Sequence, residues 1–449
     1  MTSNAVVNNA MVTADGADPS TVSGNISGIG GFKKNGAAVV TLSGNNTFSG
    51  QFTHAGGTVA VSSDTALGTG NFRFDVAGAT LRSTDTSART IGNFLDIANS
   101  SVFGAPNTGD LTFTGTLAMG NAAKDMTINN GVTTFTGVMI GGPSENYITK
   151  KGTGTMVLTN TANTAIRPIS LDAGVLRISA EGSLGANPAA SNGTTPKQLR
   201  FNGGTLQATA SFTIDDSNRG VFIENAGGSI SVDSGATLTV AKGVAGTGAL
   251  NKIGAGTLNL SAANSYTGAT NVNAGTLLVS GSLGGSSAVN VNSGTLQLGA
   301  NNVLNDAAPV ALGGGTLSTA GFDDSVGALT LSVASTINLG AGDSVFRFAD
   351  SSAAMWTGTL AISNWSGSLS GGGADQVFFG SSAAGLTFDQ IAVIQFVNPE
   401  GLAPGNYGAQ LLPSGEIVAV PEPASIVSLI GGMGVLLGFG RFNRRRRHA

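Results

Sequence analysis

The sequence predicts an all-β protein whose central part is a parallel β-helix. Of its 449 residues, 69 are glycine and 41% are hydrophobic, while only 10% are charged, well below the roughly 25% of an ordinary soluble domain. A Gly-Thr-Leu unit and its variants recur at intervals of 20, 19, 19 and 21 residues, with the threonines at Thr237, Thr257, Thr276, Thr295 and Thr316. Each unit begins a short stretch in which apolar and polar residues nearly alternate, such as TLLVS or TLQLG. These observations indicate short strands that stack at a fixed period.

The twenty-residue period predicts one coil per repeat. Alternation turns one side of each strand inward and the other outward, and a single strand cannot bury its inner side alone. Stacked coils, about 4.8 Å apart, close a continuous apolar interior. Glycine before each strand suits a corner where a Cβ would clash, and asparagine pairs such as Asn45-Asn46 and Asn301-Asn302 tolerate left-handed backbone at turns. A β-sandwich needs no corner glycine at so regular an interval, so a β-helix is the favoured architecture.

Three longer segments share a basic residue, a turn of small residues, an alternating strand, an asparagine-containing loop and a strand led by glycine. They cover residues 33–63, 150–179 and 252–284. The third, KIGAGTLNLSAANSYTGATNVNAGTLLV, resembles the autotransporter-associated β-strand repeat of bacterial surface proteins, while Arg167-Pro168 breaks the pattern in the second. Including looser units, the resemblance spans roughly residues 30 to 339. It implies a right-handed β-helix of the kind found in secreted passenger regions.

Changes in composition divide the chain into four predicted regions. These are a lead-in (1–29), the β-helix (30–340), an aromatic-rich end region (341–417) and a C-terminal signal (418–449). The end region gathers Phe346, Phe348, Trp356, Trp365, Phe378, Phe379, Phe388, Phe396 and Tyr407. Because an open β-helix end exposes unpaired strand edges and an apolar cross-section, we expect these bulky side chains to cap it. The alternative is a carbohydrate-binding platform at Trp356 and Trp365.

The last thirty residues combine three features in a fixed order. Pro421, Glu422 and Pro423 come first, an uncharged span of 17 residues (424–440) follows, and the chain ends in a basic block. That block contains Arg441, Arg444, Arg445, Arg446 and Arg447. The span makes about 25 Å of helix at about 1.5 Å per residue, the lower end of what crosses a membrane. We therefore expect a short transmembrane helix with its arginines on the cytoplasmic side.

Together these features resemble the PEP-CTERM sorting signal, which exosortases of Gram-negative bacteria recognise. The resemblance implies transient tethering to the inner membrane through residues 424–440 and removal of the tail by an exosortase-type membrane protease. It further implies release to, or attachment at, the cell surface or the exopolysaccharide matrix. A plain C-terminal tail anchor is the alternative. Because residues 1–20 contain no basic segment followed by an apolar one, we expect a truncated N-terminus with a signal peptide encoded upstream.

The sequence shows no cluster that points to a reaction. There is no cysteine, which excludes thiolate metal sites and a cysteine nucleophile. His448 belongs to the tail, and His54 is interpreted as a solvated turn residue. The pairs Asp215-Asp216, Asp323-Asp324, Lys33-Lys34 and Lys150-Lys151 are interpreted as turn or solvated residues. We predict no catalytic residue, no cofactor and no metal ion.

The charge balance and the lack of a sequence cluster that points to catalysis or metal binding limit the possible classes of function. Subtracting the five tail arginines from 21 basic residues leaves 16, against 25 acidic residues. An acidic body argues against nucleic acid as a partner, since phosphate neutralisation needs a basic face. The predicted function is that of an exported, non-catalytic surface or matrix protein with a structural or adhesive role. The alternatives are a lyase-like β-helix enzyme acting on polysaccharide and a carbohydrate-binding surface protein.

Overall fold

The computed structural model describes residues 5–142, 144, 146–187 and 198–421. Over these residues the chain is an all-β parallel solenoid of right-handed type with about 16 turns, which confirms the predicted architecture. No helix among the described residues is both long enough and apolar enough to span a lipid bilayer. The predicted transmembrane segment, 424–440, lies outside the described residues.

The strands are short and follow one another around the solenoid. The first eighteen are β1 (Val6–Val7), β2 (Val12–Ala14), β3 (Ser20–Val22), β4 (Ile26–Ser27), β5 (Phe32–Lys34), β6 (Val39–Leu42), β7 (Phe52–His54), β8 (Thr58–Val61), β9 (Phe72–Phe74), β10 (Ala79–Ser83), β11 (Arg89–Ile91), β12 (Leu95–Ile97), β13 (Ser101–Phe103), β14 (Leu111–Phe113), β15 (Leu117–Met119), β16 (Lys124–Ile128), β17 (Val132–Phe135) and β18 (Met139–Ile140).

The middle of the chain continues the same pattern, with one 3₁₀ helix (Glu181–Leu184) after β22. Its strands are β19 (Ile148–Lys151), β20 (Thr155–Leu158), β21 (Ile169–Leu171), β22 (Val175–Ile178), β23 (Leu199–Phe201), β24 (Thr205–Ala208), β25 (Phe212–Ile214), β26 (Val221–Ile223), β27 (Gly228–Val232), β28 (Thr237–Val240), β29 (Val244–Gly246), β30 (Leu250–Ile253), β31 (Thr257–Leu260), β32 (Thr270–Val272), β33 (Thr276–Val279), β34 (Val289–Val291), β35 (Thr295–Leu298), β36 (Val310–Leu312) and β37 (Thr316–Ser318).

The C-terminal part contains nine strands and one short helix, α1 (Phe388–Ala392), between β43 and β44. Its strands are β38 (Asp324–Val326), β39 (Leu329–Leu331), β40 (Ser335–Asn338), β41 (Ser344–Phe348), β42 (Leu360–Ser363), β43 (Asp375–Phe379), β44 (Ile394–Val397), β45 (Asn406–Leu411) and β46 (Glu416–Val420).

The solenoid has three faces, and consecutive strands along the chain lie on face 1, face 2 and face 3 in turn. Face 1 holds the sheet from β2 to β18 and, further along, the ladder from β25 to β44. Face 2 holds the sheet from β3 to β29 and then β38, β41 and β43. Face 3 holds β1 and β4 and then the sheet from β11 to β39. The strand ladder of each face is therefore interrupted once, and the three interruptions lie at different positions along the solenoid axis.

In-register pairing places identical side chains above one another in the interior. Phe32, Phe52 and Phe72 are partners on β5, β7 and β9, and all are at most 1% exposed. Their ring centroids are 4.9 Å and 5.0 Å apart, the spacing of neighbouring coils. Such columns bury the apolar side of the strands within the stack, because the next coil covers what one coil leaves exposed, whereas β1, β2 and β3 contain no fully buried residue.

The coils extend beyond both limits of the predicted 30–340 region. Strand β2 pairs in parallel with β5, and β42 pairs in parallel with β44. Among the described strands, β45 and β46 alone depart from this pattern, because β45 pairs antiparallel with β44, and β46 pairs antiparallel with β45 and β43. These strands join faces 1 and 2 into one sheet at the C-terminal end. Helix α1 lies between β43 of face 2 and β44 of face 1, and it therefore occupies the face 3 position of its coil.

Candidate functional site

The repeated segments each bury one lysine in the interior of the solenoid. Lys34, Lys150 and Lys252 are 0%, 1% and 0% exposed. The Lys252 Nζ donates to the carbonyl oxygens of Ile253 at 2.8 Å, Gly254 at 2.7 Å and, one coil later, Ala274 at 3.0 Å. We call this arrangement, a buried lysine with three carbonyl acceptors, a lysine clasp.

The other two repeats contain the same clasp. The Lys150 Nζ donates to the carbonyls of Lys151 (2.9 Å), Gly152 (3.0 Å) and Ala173 (3.1 Å). The Lys34 Nζ donates to the carbonyls of Asn35, Gly36 and Gly56. In every case two acceptors directly follow the lysine and the third belongs to the next coil, so the clasp joins neighbouring coils.

The glycine two residues after the lysine makes this geometry accessible. Gly152 and Gly254 have φ values of +74° and +75°, a left-handed conformation that glycine adopts without a steric penalty. A Cβ at Gly254 would lie 2.4 Å from the Val232 carbonyl oxygen. The Lys-x-Gly sequence therefore turns the chain sharply after the strand and brings its carbonyls toward the lysine Nζ.

Burial lowers the pKa of all three clasp lysines, for Lys150 and Lys252 to about 8. At neutral pH the ammonium form of Lys150 and Lys252 therefore still predominates. An ammonium group has three N–H donors, which matches the three carbonyls it contacts. For Lys150 and Lys252 polar backbone groups compensate the buried charge, whereas the Asp15 carboxylate also acts on Lys34 and raises its pKa against the effect of burial.

Each repeat also buries one asparagine that links three coils. The Asn163 Oδ1 accepts from the Met139 N–H at 2.8 Å, and its Nδ2 donates to the Ser183 carbonyl at 2.8 Å. Asn46 likewise accepts from Ile26 N–H at 2.7 Å and donates to the Ala66 carbonyl at 2.6 Å. These asparagine bridges replace ladder hydrogen bonds where the chain forms a loop instead of a strand.

The third asparagine bridge completes the pattern. The Asn264 Oδ1 accepts from Val244 N–H at 3.0 Å, and its Nδ2 donates to the carbonyls of Ala262 (2.8 Å) and Ser282 (2.9 Å). Asn46, Asn163 and Asn264 lie on faces 3, 1 and 2, in the intervals where those faces lack strands. Each repeat thus accounts for one of the three sheet interruptions.

The interpretation of Lys33-Lys34 and Lys150-Lys151 as solvated pairs was wrong for one lysine of each pair. Lys34 and Lys150 occupy inward positions of β5 and β19, in line with Phe32 and Ile148, whereas Lys33 and Lys151 are not buried. The alternation contained this information, because residues two apart in a strand share a face. The interpretation instead followed the general tendency of lysine side chains to be exposed to solvent.

The interpretation of His54 as a solvated turn residue was also wrong. His54 lies on β7, is 0% exposed, and pairs in the ladder with Lys34. Its Nε2 is 3.1 Å from the Gly57 carbonyl oxygen, while Nδ1 has no partner among the described residues. The ring packs against Phe72 and Phe74. It occupies the column position that Leu171 and Val272 hold in the other repeats.

We expect His54 to make the first repeat sensitive to acid. Burial lowers the pKa of His54 to about 4, from 6.5, so the unfolded chain binds this proton first as the pH falls. Between pH 7 and pH 4 wild type should therefore lose about 3 kcal/mol more unfolding free energy than His54→Leu. Urea unfolding of both proteins at the two pH values measures this difference. Equal losses would contradict a buried, neutral imidazole.

The paired aspartates do not form two-carboxylate sites. Asp324 is a buried residue of β38 rather than a turn residue, and its Oδ2 accepts from the N–H groups of Val303 and Leu304 at 3.0 Å each. Asp323 is exposed, so the interpretation as a turn or solvated residue holds for Asp323 and was wrong for Asp324. Asp324 links strand β38 to the loop of the preceding coil.

Asp216 belongs to a buried ionic cluster that the sequence reasoning missed. The Arg219 guanidinium, 1% exposed, lies 2.8 Å from Asp216 Oδ2 and 3.2 Å from Glu181 Oε1. It also donates to the carbonyls of Gly185 and Ala186. Burial raises the pKa of Glu181. The cluster connects the 3₁₀ helix to the turn before β26 through the Arg219 Nε and Nη2 donors.

The two predicted carbohydrate-contact residues differ in accessibility. Trp365 is 1% exposed and packs on Phe396, with centroids 4.9 Å apart. Trp356 is partly exposed, donates from Nε1 to the Leu329 carbonyl at 2.8 Å, and contacts Phe379 edge-on. Only Trp356 has ring surface in contact with solvent, so a carbohydrate contact stays a prediction for this residue.

The predicted sorting motif lies at the limit of the described residues. Pro421 directly follows β46, whereas Glu422, Pro423 and the five tail arginines lie outside the described part. Over the described residues, no group of three or more histidine, cysteine, aspartate or glutamate side chains is arranged to hold a metal ion.

Comparison with known families identifies the repeated segments. The chain matches the family described as Passenger-associated-transport-repeat at residues 32–61, 148–178 and 250–279. These stretches are the units β5–β8, β19–β22 and β30–β33, which carry the lysine clasps and asparagine bridges. No curated protein and no solved structure matches the chain. The match supports the similarity to autotransporter-associated repeats and fits an exported, passenger-like surface protein.

Proposed function

We propose that this protein is an exported, non-catalytic solenoid of the bacterial cell surface or extracellular matrix, with a structural or adhesive role. The observation that carries this proposal is the coincidence of the three passenger-type matches with the three units that hold a lysine clasp and an asparagine bridge. Passenger-type repeats indicate export. The clasps stabilise a long solenoid without disulfides, of which the chain has none.

The buried polar groups support a structural rather than a chemical role. Each clasp lysine directs its three donors to backbone carbonyls, and Arg219 directs its donors to Glu181, Asp216 and two carbonyls. Groups saturated in this way hold coils together but present no free acid, base or nucleophile to a substrate. This favours a scaffold over the lyase-like alternative.

The end region, residues 341–417, is proposed to cap the solenoid. Antiparallel strands β45 and β46 cover the last strand edges of faces 1 and 2. On face 3, Gln390 of α1 donates through Nε2 to the carbonyls of Ser351 and Ala354 at 2.9 Å each. Covering an edge with a helix or a reversed strand prevents pairing with other chains.

The C-terminal signal is proposed to direct sorting. In this proposal an exosortase-type protease cleaves near Pro421, Glu422 and Pro423 while residues 424–440 hold the chain in the inner membrane. The released body then reaches the surface or the exopolysaccharide matrix. The described chain supports this order in one respect, because β46 ends at Val420 and the motif therefore follows the last strand of the folded body.

Replacing Pro421, Glu422 and Pro423 together by alanine is expected to leave the tail attached. The altered protein should remain in the inner-membrane fraction with its arginine block, whereas wild type should be recovered outside that membrane about thirty residues shorter than its uncleaved form. Intact-mass spectrometry of fractions from native cells measures both outcomes. Pro404→Ala, in a loop of the end region, is the control.

Two results would contradict this proposal in different ways. Wild-type protein that retains its arginine tail at the cell surface would refute cleavage but leave export intact. Protein that resists external protease in intact cells and stays in the cytoplasmic fraction would refute export itself.

A further inference from the structure

The last three coils form a groove that the repeats and the sorting signal do not explain. Its volume is about 480 Å³, within the roughly 300–1,000 Å³ of typical small-ligand sites. It lies where β38 and β41 end and is bordered by the loop 380–385 that follows β43. Three successive passes of the chain therefore contribute side chains to one surface.

Arg347 is the principal charged group of this groove. Register aligns Ser325, Arg347 and Phe378 on the outer side of face 2. The guanidinium carbon lies 3.8 Å from the centre of the Phe378 ring, and this stacking fixes the plane of the guanidinium. Arg347 is exposed, and its N–H donors have no acceptor among the described residues. A preoriented arginine fork thus faces the solvent.

The rest of the lining provides groups suited to hydroxyls. Asp350 accepts the N–H and hydroxyl of Ser352 through Oδ1, at 2.9 Å and 2.6 Å, which leaves Oδ2 without a partner in the described chain. The hydroxyls of Ser325 and Ser381, both in the lining, also have no partner among the residues the structure describes. The groove therefore offers one cationic fork, one carboxylate oxygen and two hydroxyls.

We propose that this groove binds a carboxylate-bearing sugar, one uronic acid residue of an acidic polysaccharide. An arginine fork pairs bidentately with a carboxylate, and Asp350 with the serines can bond the ring hydroxyls of the same residue. An acidic peptide fits less well, since it has no ring hydroxyls for Asp350, Ser325 and Ser381 to bond. The proposal goes beyond the sorting and scaffold role and does not depend on the route of export.

Binding of trigalacturonate to the purified full-length protein tests the proposal. Ligand-observed NMR or calorimetry should detect binding of trigalacturonate but not of its carboxyl-reduced, neutral counterpart. Arg347→Gln should weaken binding at least tenfold, and Arg347→Lys should fall between the two because it keeps the charge and loses the fork. Arg82→Gln, a surface arginine on β10, is the matched control and should bind like wild type.

Several outcomes would overturn the proposal. Binding that Arg347→Gln leaves unchanged would place the site elsewhere, and equal binding of the neutral sugar would remove the role of the carboxylate. Triglutamate binding as tightly as trigalacturonate would assign the groove to peptides. No binding of galacturonate, glucuronate or mannuronate trimers would refute a uronate site. Arg347→Gln must retain the wild-type urea midpoint, so that lost binding reports on the groove.

Discussion

Replacing Lys150 by methionine is expected to lower the unfolding free energy of its repeat by about 3–5 kcal/mol. Methionine fills the volume of the lysine stem but donates no hydrogen bond. The carbonyls of Lys151, Gly152 and Ala173 then lose the donor that Lys150 Nζ provides. Removing one partner of a buried charged network costs more than replacing the whole network, because the remaining polar groups stay buried and unpaired.

The adjacent lysine is a matched control for this change. Lys151 points outward and lies 2.9 Å from Asp125, with both side chains about 40% exposed, so Lys151→Met should cost at most about 1 kcal/mol. Long repeat arrays do not always unfold in one step. The measurement is therefore amide hydrogen exchange over residues 148–178, with the urea midpoint beside it. Equal loss of protection in both variants would show that the clasp contributes nothing beyond surface charge.

Replacing Asn264 by leucine is expected to cost about 2–3 kcal/mol. The leucine side chain is close to asparagine in size, so the loss comes from hydrogen bonds rather than from a cavity. Val244 N–H loses its bond to Asn264 Oδ1, and the Ala262 and Ser282 carbonyls lose a donor. Both carbonyls keep a backbone N–H donor, so the largest loss falls on the Val244 N–H, whose acceptor is the Asn264 side chain because face 2 has no named strand at this level.

Asn292→Leu provides the comparison on the outer surface. Asn292 is exposed and donates to Asn273 Oδ1 at 2.8 Å, so its replacement should change stability by about 0.5 kcal/mol or less. Hydrogen exchange should increase in Asn264→Leu around β29 and the loop after β31, and stay at wild-type levels in Asn292→Leu. Unchanged exchange in both variants would show that the asparagine bridge does not hold the interrupted face.

The repeat pattern predicted much of the fold because each coil of a solenoid needs similar residues at equivalent positions, so the coil length is visible as a period in the sequence. Threonines such as Thr257 and Thr276, 19 residues apart, are direct partners in the ladder, as the spacing indicated. The corner glycine is confirmed at Gly275, where φ is +62° and a Cβ would lie 2.4 Å from the Gly256 carbonyl oxygen. Left-handed asparagine is confirmed at Asn302, with a φ of +53°, but Asn45, Asn46 and Asn301 do not have a positive φ.

The candidate sites were harder to predict, because their partners lie one coil away. The sequence shows Lys150 beside small residues, but the carbonyl of Ala173 becomes its neighbour only when the coil closes. The groove at Arg347 has the same origin. Ser325, Arg347 and Phe378 are separated by 22 and 31 residues and meet only through the register of β38, β41 and β43.

The sequence by itself determined the class of the fold, the length of its coils and the alternation that decides which side of each strand is buried. These properties are local, because they depend on residues two apart or one period apart. Only the tertiary structure decided where each repeat lies around the axis. Lys34, Lys150 and Lys252 stand on faces 1, 2 and 3 respectively, because each repeat begins one face further around the axis than a whole number of coils after the previous one. The same phase places the asparagine bridges in the gaps, and the register of β38, β41 and β43 assembles the groove from separate coils.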